Sequence, residues 1–370
     1  DQIDALSQSL TNDRTHLNMM MAVLSSLNNW PNVRAVVSCR KYDLEYDSVL
    51  NSLKDKSTVI EIGELAEEEV TIALNKLENG LGKKIDRVTA KMLRTVQMLD
   101  SFSLLFRRNK SKINFNNQIE LYDALWDTVI CDSSPRDDVE RREQLMYKIV
   151  ETIHIAGTLN PQFIPDSSQK GAYKYLASNG LIRRDGSAVS FFHQSFYEYT
   201  LARHYSETGS LFSADLKKEI QGLEIRSTVK AVLDFKRGHD TAKFVDEARS
   251  ILEDPDIRLH LKLLTLSVLA FVNNPSRAEK ALVTDVCQKD GRLLVYFLRG
   301  VNSPDWFQTI RKMLNGIIPE LKKDDEQFFP IISCLSRYVF DNPEAVYGMI
   351  NQIQDRESRL YAVAYVVREH

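Results

Sequence analysis

The sequence contains no apolar run near the ~20 residues that a membrane-spanning helix requires, so no membrane partner is expected. Cysteine is scarce and scattered. Cys39, Cys131, Cys287 and Cys334 are the four in 370 residues, and no two have metal-ligand spacing. That argues against a disulfide framework and a cysteine-based zinc site, and it fits a cytoplasmic location. An excess of one charge is also lacking. Lys and Arg number 48 against 51 Asp and Glu, a net charge of −3, so no global basic field advertises nucleic acid. No tetratricopeptide or ankyrin consensus recurs. What remains is ordinary for globular protein, 43% hydrophobic and 27% charged, in a chain long enough for two to four domains of roughly 100–200 residues.

The chain opens on Asp1-Gln2-Ile3-Asp4. Two carboxylates so spaced at a strand end can hold Mg²⁺ and position a water, and the same pattern also caps helices. A helix is predicted over residues 17–27, broken by Asn28-Asn29-Trp30-Pro31-Asn32. The β-branched run at 33–38 predicts a buried strand. Ligands of α/β sheets sit beyond the carboxyl ends of strands, which would aim Arg40 at a phosphate that a guanidinium can grip bidentately. Residues 58–62 alternate like a last edge strand.

Helices then dominate. Glu64, Glu67, Glu68 and Glu69 form an acid-rich helix start, and Gly80 and Gly82 end that helix. Further helices are predicted around 88–108 and 118–130, the first packing Met92, Leu93, Val96, Leu99 and Leu104. Helices over 139–156 and 167–178, a hairpin around Asp185-Gly186 and a following helix give winged-helix order. The would-be recognition helix carries only Lys170 and Lys174, too weak a footprint for phosphate-driven binding, so nucleic acid is not the expected partner. His193 lies where the hairpin ends and the next helix begins. It is either a packed core residue or a phosphate ligand, because helix N-termini favour anions and imidazole can donate. After 207 come amphipathic segments such as 216–235, 242–252, 257–272, 278–288, 304–314, 327–340 and 343–353. Breaks such as Asn273-Asn274-Pro275 and Asp341-Asn342-Pro343 separate them. Irregular helical pairs of this kind expose surfaces for protein partners.

Two stretches carry a resemblance. Asp1-x-x-Asp4, a helix, and a strand ending Ser38-Cys39-Arg40 resemble the NACHT-type STAND P-loop NTPases, relatives of the AAA+ ATPases. Phe192-His193-Gln194-Ser195-Phe196-x-Glu198-Tyr199-x-x-Ala202-Arg203 is similar to that family's winged-helix histidine motif. The resemblance implies a mainly α fold: a partial α/β nucleotide core over 1–62, a small helical domain over 63–132, a winged helix over 133–206 and a HEAT-like α-solenoid over 207–370. It implies ATP or ADP with Mg²⁺, Asp1 as Walker B aspartate and metal ligand, Asp4 as the second acidic position and Arg40 as sensor 1 arginine, the three serving hydrolysis. His193 would contact the β-phosphate of ADP. The implied function is a signalling switch of prokaryotic antiviral defence, locked by ADP and opened by a protein or other ligand on the helical repeats, then forming a homo-oligomer. No G-x-x-x-x-G-K-[ST] phosphate loop occurs, so the chain reads as a fragment that binds ATP poorly on its own. The alternatives are a non-catalytic winged-helix and solenoid scaffold, or a STAND-type transcriptional regulator binding DNA.

Overall fold

A computed structural model describes residues 15–39, 44, 48–132, 135–209, 211–218, 221–222 and 225–369. Among them the chain is mainly α-helical with one two-stranded sheet. It forms two compact units, Asp1–His193 with Gly222–Ile225, and Gln194–Gln221 with Arg226–His370.

In the first unit, α1 (Thr15–Ser26) and the short α2 (Ser48–Asn51) bury Leu17 and Leu50 among Met21, Leu24, Val49 and Leu53. The strands expected at 33–38 and 58–62 are corrected here. Residues 33–37 and 58–62 have no strand structure, and Val36, Ile60 and Ile62 are 98%, 82% and 91% exposed. A β-branched run becomes a strand only where a neighbour takes up its N–H and C=O groups. Among the described residues the only named sheet is a hairpin far along the chain.

The acid-rich start of α3 (Glu67–Leu77) is as expected, with the Ala66 N–H donating to Glu69 Oε2 at 2.8 Å. The helix expected over 88–108 is instead two, α4 (Arg87–Met92) and α5 (Val96–Phe106). Tertiary hydrogen bonds hold the break open. The Leu65 N–H donates to the Arg94 carbonyl at 2.8 Å, and Arg94 Nε donates back to the Leu65 carbonyl at 2.8 Å. The break turns Val96 outward, 58% exposed, while Met98, Phe102, Leu105 and Phe106 are buried. These pack toward α6 (Gln118–Val129), which buries Leu121, Tyr122, Leu125 and Trp126.

Next come α7 (Arg136–Ala156) and α8 (Lys170–Ser178). Arg142 of α7 donates to Asp132 Oδ1 at 2.7 Å, and its guanidinium carbon lies 3.6 Å from the ring centroid of Tyr175 on α8. The Tyr175 hydroxyl donates to Asp132 Oδ2 at 2.8 Å and closes the cluster. The hairpin strands β1 (Ile182–Asp185) and β2 (Ala188–Phe191) pair antiparallel, with Ile182 opposite Phe191 and Asp185 opposite Ala188. Gly186 takes the left-handed turn position at φ 59.

The second unit is a stack of helical pairs: α9 (Gln194–Glu207), α10 (Phe212–Leu216), α11 (Ile225–His239), α12 (Thr241–Glu253), α13 (Leu259–Ala270), α14 (Arg277–Lys289), α15 (Gly291–Gly300), α16 (Phe307–Leu314), α17 (Phe328–Ser336), α18 (Pro343–Ile350) and α19 (Arg356–Glu369). Alternate helices share a layer. α13, α15, α17 and α19 stack in one, and α10, α12, α14 and α16 in the other. Tyr199 of α9 meets Phe235 of α11 edge-on at 5.4 Å, which makes α9 the first helix of the stack. Hydrogen bonds between successive pairs recur at near-constant chain separation. Lys243 Nζ to the Ser206 carbonyl spans 37 residues, Trp306 Nε1 to the Val272 carbonyl 34, and the Tyr338 hydroxyl to the Ser303 carbonyl 35. The repeat is thus geometric, with no consensus to mark it. The single helix expected over 216–235 is corrected. α10 and α11 are separate, and buried Gln221 between them donates to the Asp256 carbonyl at 3.0 Å and accepts from the Arg258 N–H at 2.7 Å.

Candidate functional site: the joint at His193

Three elements of the first unit place the site. The register of the hairpin puts Phe191 opposite Ile182, and the Phe192 N–H continues the pairing by donating to the Leu181 carbonyl at 3.1 Å. Phe192 is buried, and its ring centroid lies 4.8 Å from that of His193. The imidazole emerges one residue later, its side chain 25% exposed. On α5, helical periodicity buries Met98, Ser101 and Phe102 and so leaves Asp100 on the outer face, 56% exposed. His193 Nε2 and Asp100 Oδ2 lie 3.0 Å apart, across 93 residues of chain.

This contact fixes what the imidazole can do. A carboxylate only accepts, so Nε2 carries the proton it shares with Asp100. In the neutral ring Nδ1 is then an acceptor, and a phosphate oxygen finds no donor there. His193 can donate to a phosphate only by releasing Asp100 or by taking a second proton. Asp100 and an anion therefore compete for one imidazole, and the carboxylate also repels the anion.

Beside the pair lies a cavity of ≈ 560 Å³. Leu104, Ile182 and Phe192 give it apolar walls, Asp100 supplies one charge, and Arg183 and Arg184 supply the opposite one. Arg184 is partly committed, its Nε donating to the Gly186 carbonyl at 2.8 Å. Gly180, at φ 77, takes the chain from α8 into β1 along this wall, a backbone conformation that disfavours a side chain.

Of the residues singled out in the sequence, His193 is placed at this joint. Asp1, Asp4 and Arg40 lie outside the described residues, as does the direct geometry of any Mg²⁺ at Asp1. The strand from which the aim of Arg40 was argued is not formed at 33–37. Among the described residues no group of three or more His, Cys, Asp or Glu could hold a metal ion. Sequence reasoning missed Asp100. Its only signal is an acid at an outward position of an otherwise apolar helix, and nothing in the chain links it to a residue so distant. No protein-family model matches the chain, and no curated protein matches it in sequence.

Proposed function

We propose that this chain is the regulatory part of a nucleotide-controlled switch of the STAND/NACHT type, in which His193 is a latch and the helical stack senses a ligand. The observation that carries the reading is the position of His193. It is the last residue of the first unit, it is held by Asp100 of α5, and the next residue opens α9, the first helix of the stack. In this reading a displacement of the stack would reach the imidazole through the peptide bond between His193 and Gln194. The bound nucleotide would supply a phosphate to His193, and Asp100 is the internal competitor that takes the imidazole when that contact is released. ATP or ADP with Mg²⁺ would be held by residues including Asp1, Asp4 and Arg40, and homo-oligomerisation follows opening.

Asp100 is more than half exposed and His193 a quarter exposed, so solvent screens the pair and it contributes at most about 1 kcal/mol. Removing the competitor then raises nucleotide affinity by no more than about fivefold. The test uses the longest natural form of the protein. Asp100→Ala is expected to retain more ADP through purification, and His193→Ala less, with spontaneous self-association in light scattering. Equal ADP retention in the wild type and both variants would refute the latch. A protein-binding scaffold is the second reading, favoured by the stacked helical pairs of the second unit; it predicts neither variant to affect nucleotide or assembly.

A further inference from the structure

The second unit has a cavity of ≈ 520 Å³ where the turn from α12 to α13 lies beside the turn from α14 to α15. Leu252, Ile257, Val286 and Leu293 form its buried apolar wall, and Leu259 stands at its mouth, 44% exposed. Five charged residues make the rim: Glu253, Lys262, Lys289, Asp290 and Arg292. Their formal charges nearly cancel, but their hydrogen-bonding capacity does not.

The acids are largely spent. Glu253 Oε1 accepts from Arg249 Nη1 and from Lys289 Nζ, both at 3.3 Å. Asp290 Oδ1 caps α15 by accepting the Arg292 N–H at 2.9 Å, and its Oδ2 accepts Arg292 Nη2 at 2.9 Å. The bases keep donors in reserve. Lys289 uses Glu253 and Asp285, leaving one ammonium proton, and Arg292 spends only Nε and one Nη2 proton on Asp290. Lys262 makes no side-chain hydrogen bond or ion pair among the described residues. Asp254, which feels the Lys262 charge, is itself hydrogen-bonded by Lys217 at 2.8 Å. The start of α13 adds to the same sign. Its N-terminus has no side-chain cap, and its first residue is Leu259 at the mouth.

An arriving cation would find carboxylates already bonded. An arriving carboxylate would find free donors on three bases, and an aliphatic side chain beside it would find an apolar wall. We infer that this cavity is a docking site for a protein segment in which leucine-like side chains alternate with acidic ones. The apolar side chain enters between the turns and a neighbouring carboxylate is taken by Lys262 and Arg292. The site gives the sensing region its ligand class. It rests on the sensor reading only for its purpose, since neither His193 nor nucleotide takes part in the binding.

The probe is a fluorescein-labelled peptide of alternating leucine and aspartate, read by anisotropy against the whole chain at near-physiological salt. The controls are the same peptide with lysine for aspartate and a labelled DNA duplex. The acidic peptide is expected to bind at least about tenfold more tightly than the basic one. Lys262→Glu and Leu259→Asp should each lower its affinity about tenfold or more, and Lys262→Arg should restore it, with helical circular dichroism unchanged. Equal binding of both peptides, an unaffected Lys262→Glu variant, or Lys262-dependent binding of the duplex in place of the peptide overturns the inference. A result on this site leaves the ADP-retention test of the latch untouched, so the two can fail separately.

Discussion

Replacing Glu247 by alanine should destabilise the helical stack more than any surface change. Glu247 is fully buried on α12 and joins three elements. It accepts Lys236 Nζ of α11 at 2.6 Å and the N–H groups of Phe212 and Ser213 at the start of α10, at 3.0 and 2.8 Å. The Lys236 side chain is itself only 3% exposed. Removing the acid takes from a buried ammonium the carboxylate that it bonds at 2.6 Å, and breaking such a buried pair costs about 3–5 kcal/mol. It also orphans two helix N-terminal donors, each worth about 1–3 kcal/mol if water does not reach them. We therefore expect Glu247→Ala to cost at least about 3 kcal/mol. Lys236→Met should cost less, because the carboxylate keeps its two N–H donors. Removing both charges, in Lys236→Met with Glu247→Leu, should cost less than the two single losses together, because no unpaired charge remains. Unfolding of the stack can be followed in urea through buried Trp306, with Trp30 and Trp126 replaced by phenylalanine. A loss under about 1 kcal/mol for Glu247→Ala, or strict additivity in the double variant, would refute the reasoning. The outcome bears on the proposed switch, because this carboxylate fastens the pair after α9 to the rest of the stack.

Two further outcomes follow from the electrostatics. Burial pushes the Cys287 thiol up to about 12 and the Cys334 thiol up to about 11, so neither forms thiolate near neutrality. Mass spectrometry after brief iodoacetamide treatment of the native chain should find both unmodified, with both alkylated in denaturant; native alkylation of either would contradict its placement. Among the acids, Glu78 is held below the ordinary carboxylate range first by the hydrogen bond from Lys110. Asp285 is lowered first by Lys289, and Asp254 first by Lys217. Their folded values lie below their unfolded ones. Their stabilisation is therefore present at neutral pH and lost as pH falls below about 4 and on through the lowered values. The melting temperature should fall over that range, and added salt should lower it modestly at pH 7; a flat profile on acidification would count against these pairs.

Helix identity was legible where periodicity and breakers agreed. α1, α6, α7 and α8 fall close to their expected bounds, and Asp185-Gly186 announced the hairpin. The same local information misled where a segment's fate depended on neighbours. Residues 33–37 have β-branched composition but pair with no strand among the described residues, and 88–108 has helical composition but is split by the tie between Leu65 and Arg94.

The sequence by itself determined the mainly helical class, the placement of His193 between a strand and a helix, and the helical pairs after α9, because propensity, periodicity and turn chemistry are local. Only the tertiary structure decided that Asp100 meets His193 and that α9 opens the stack. It also decided that a spacing near 35 residues recurs without a consensus, and that the rim at Lys262 is rich in free donors. Each of these depends on which groups the folded chain leaves paired, and pairing across dozens of residues is a property of packing.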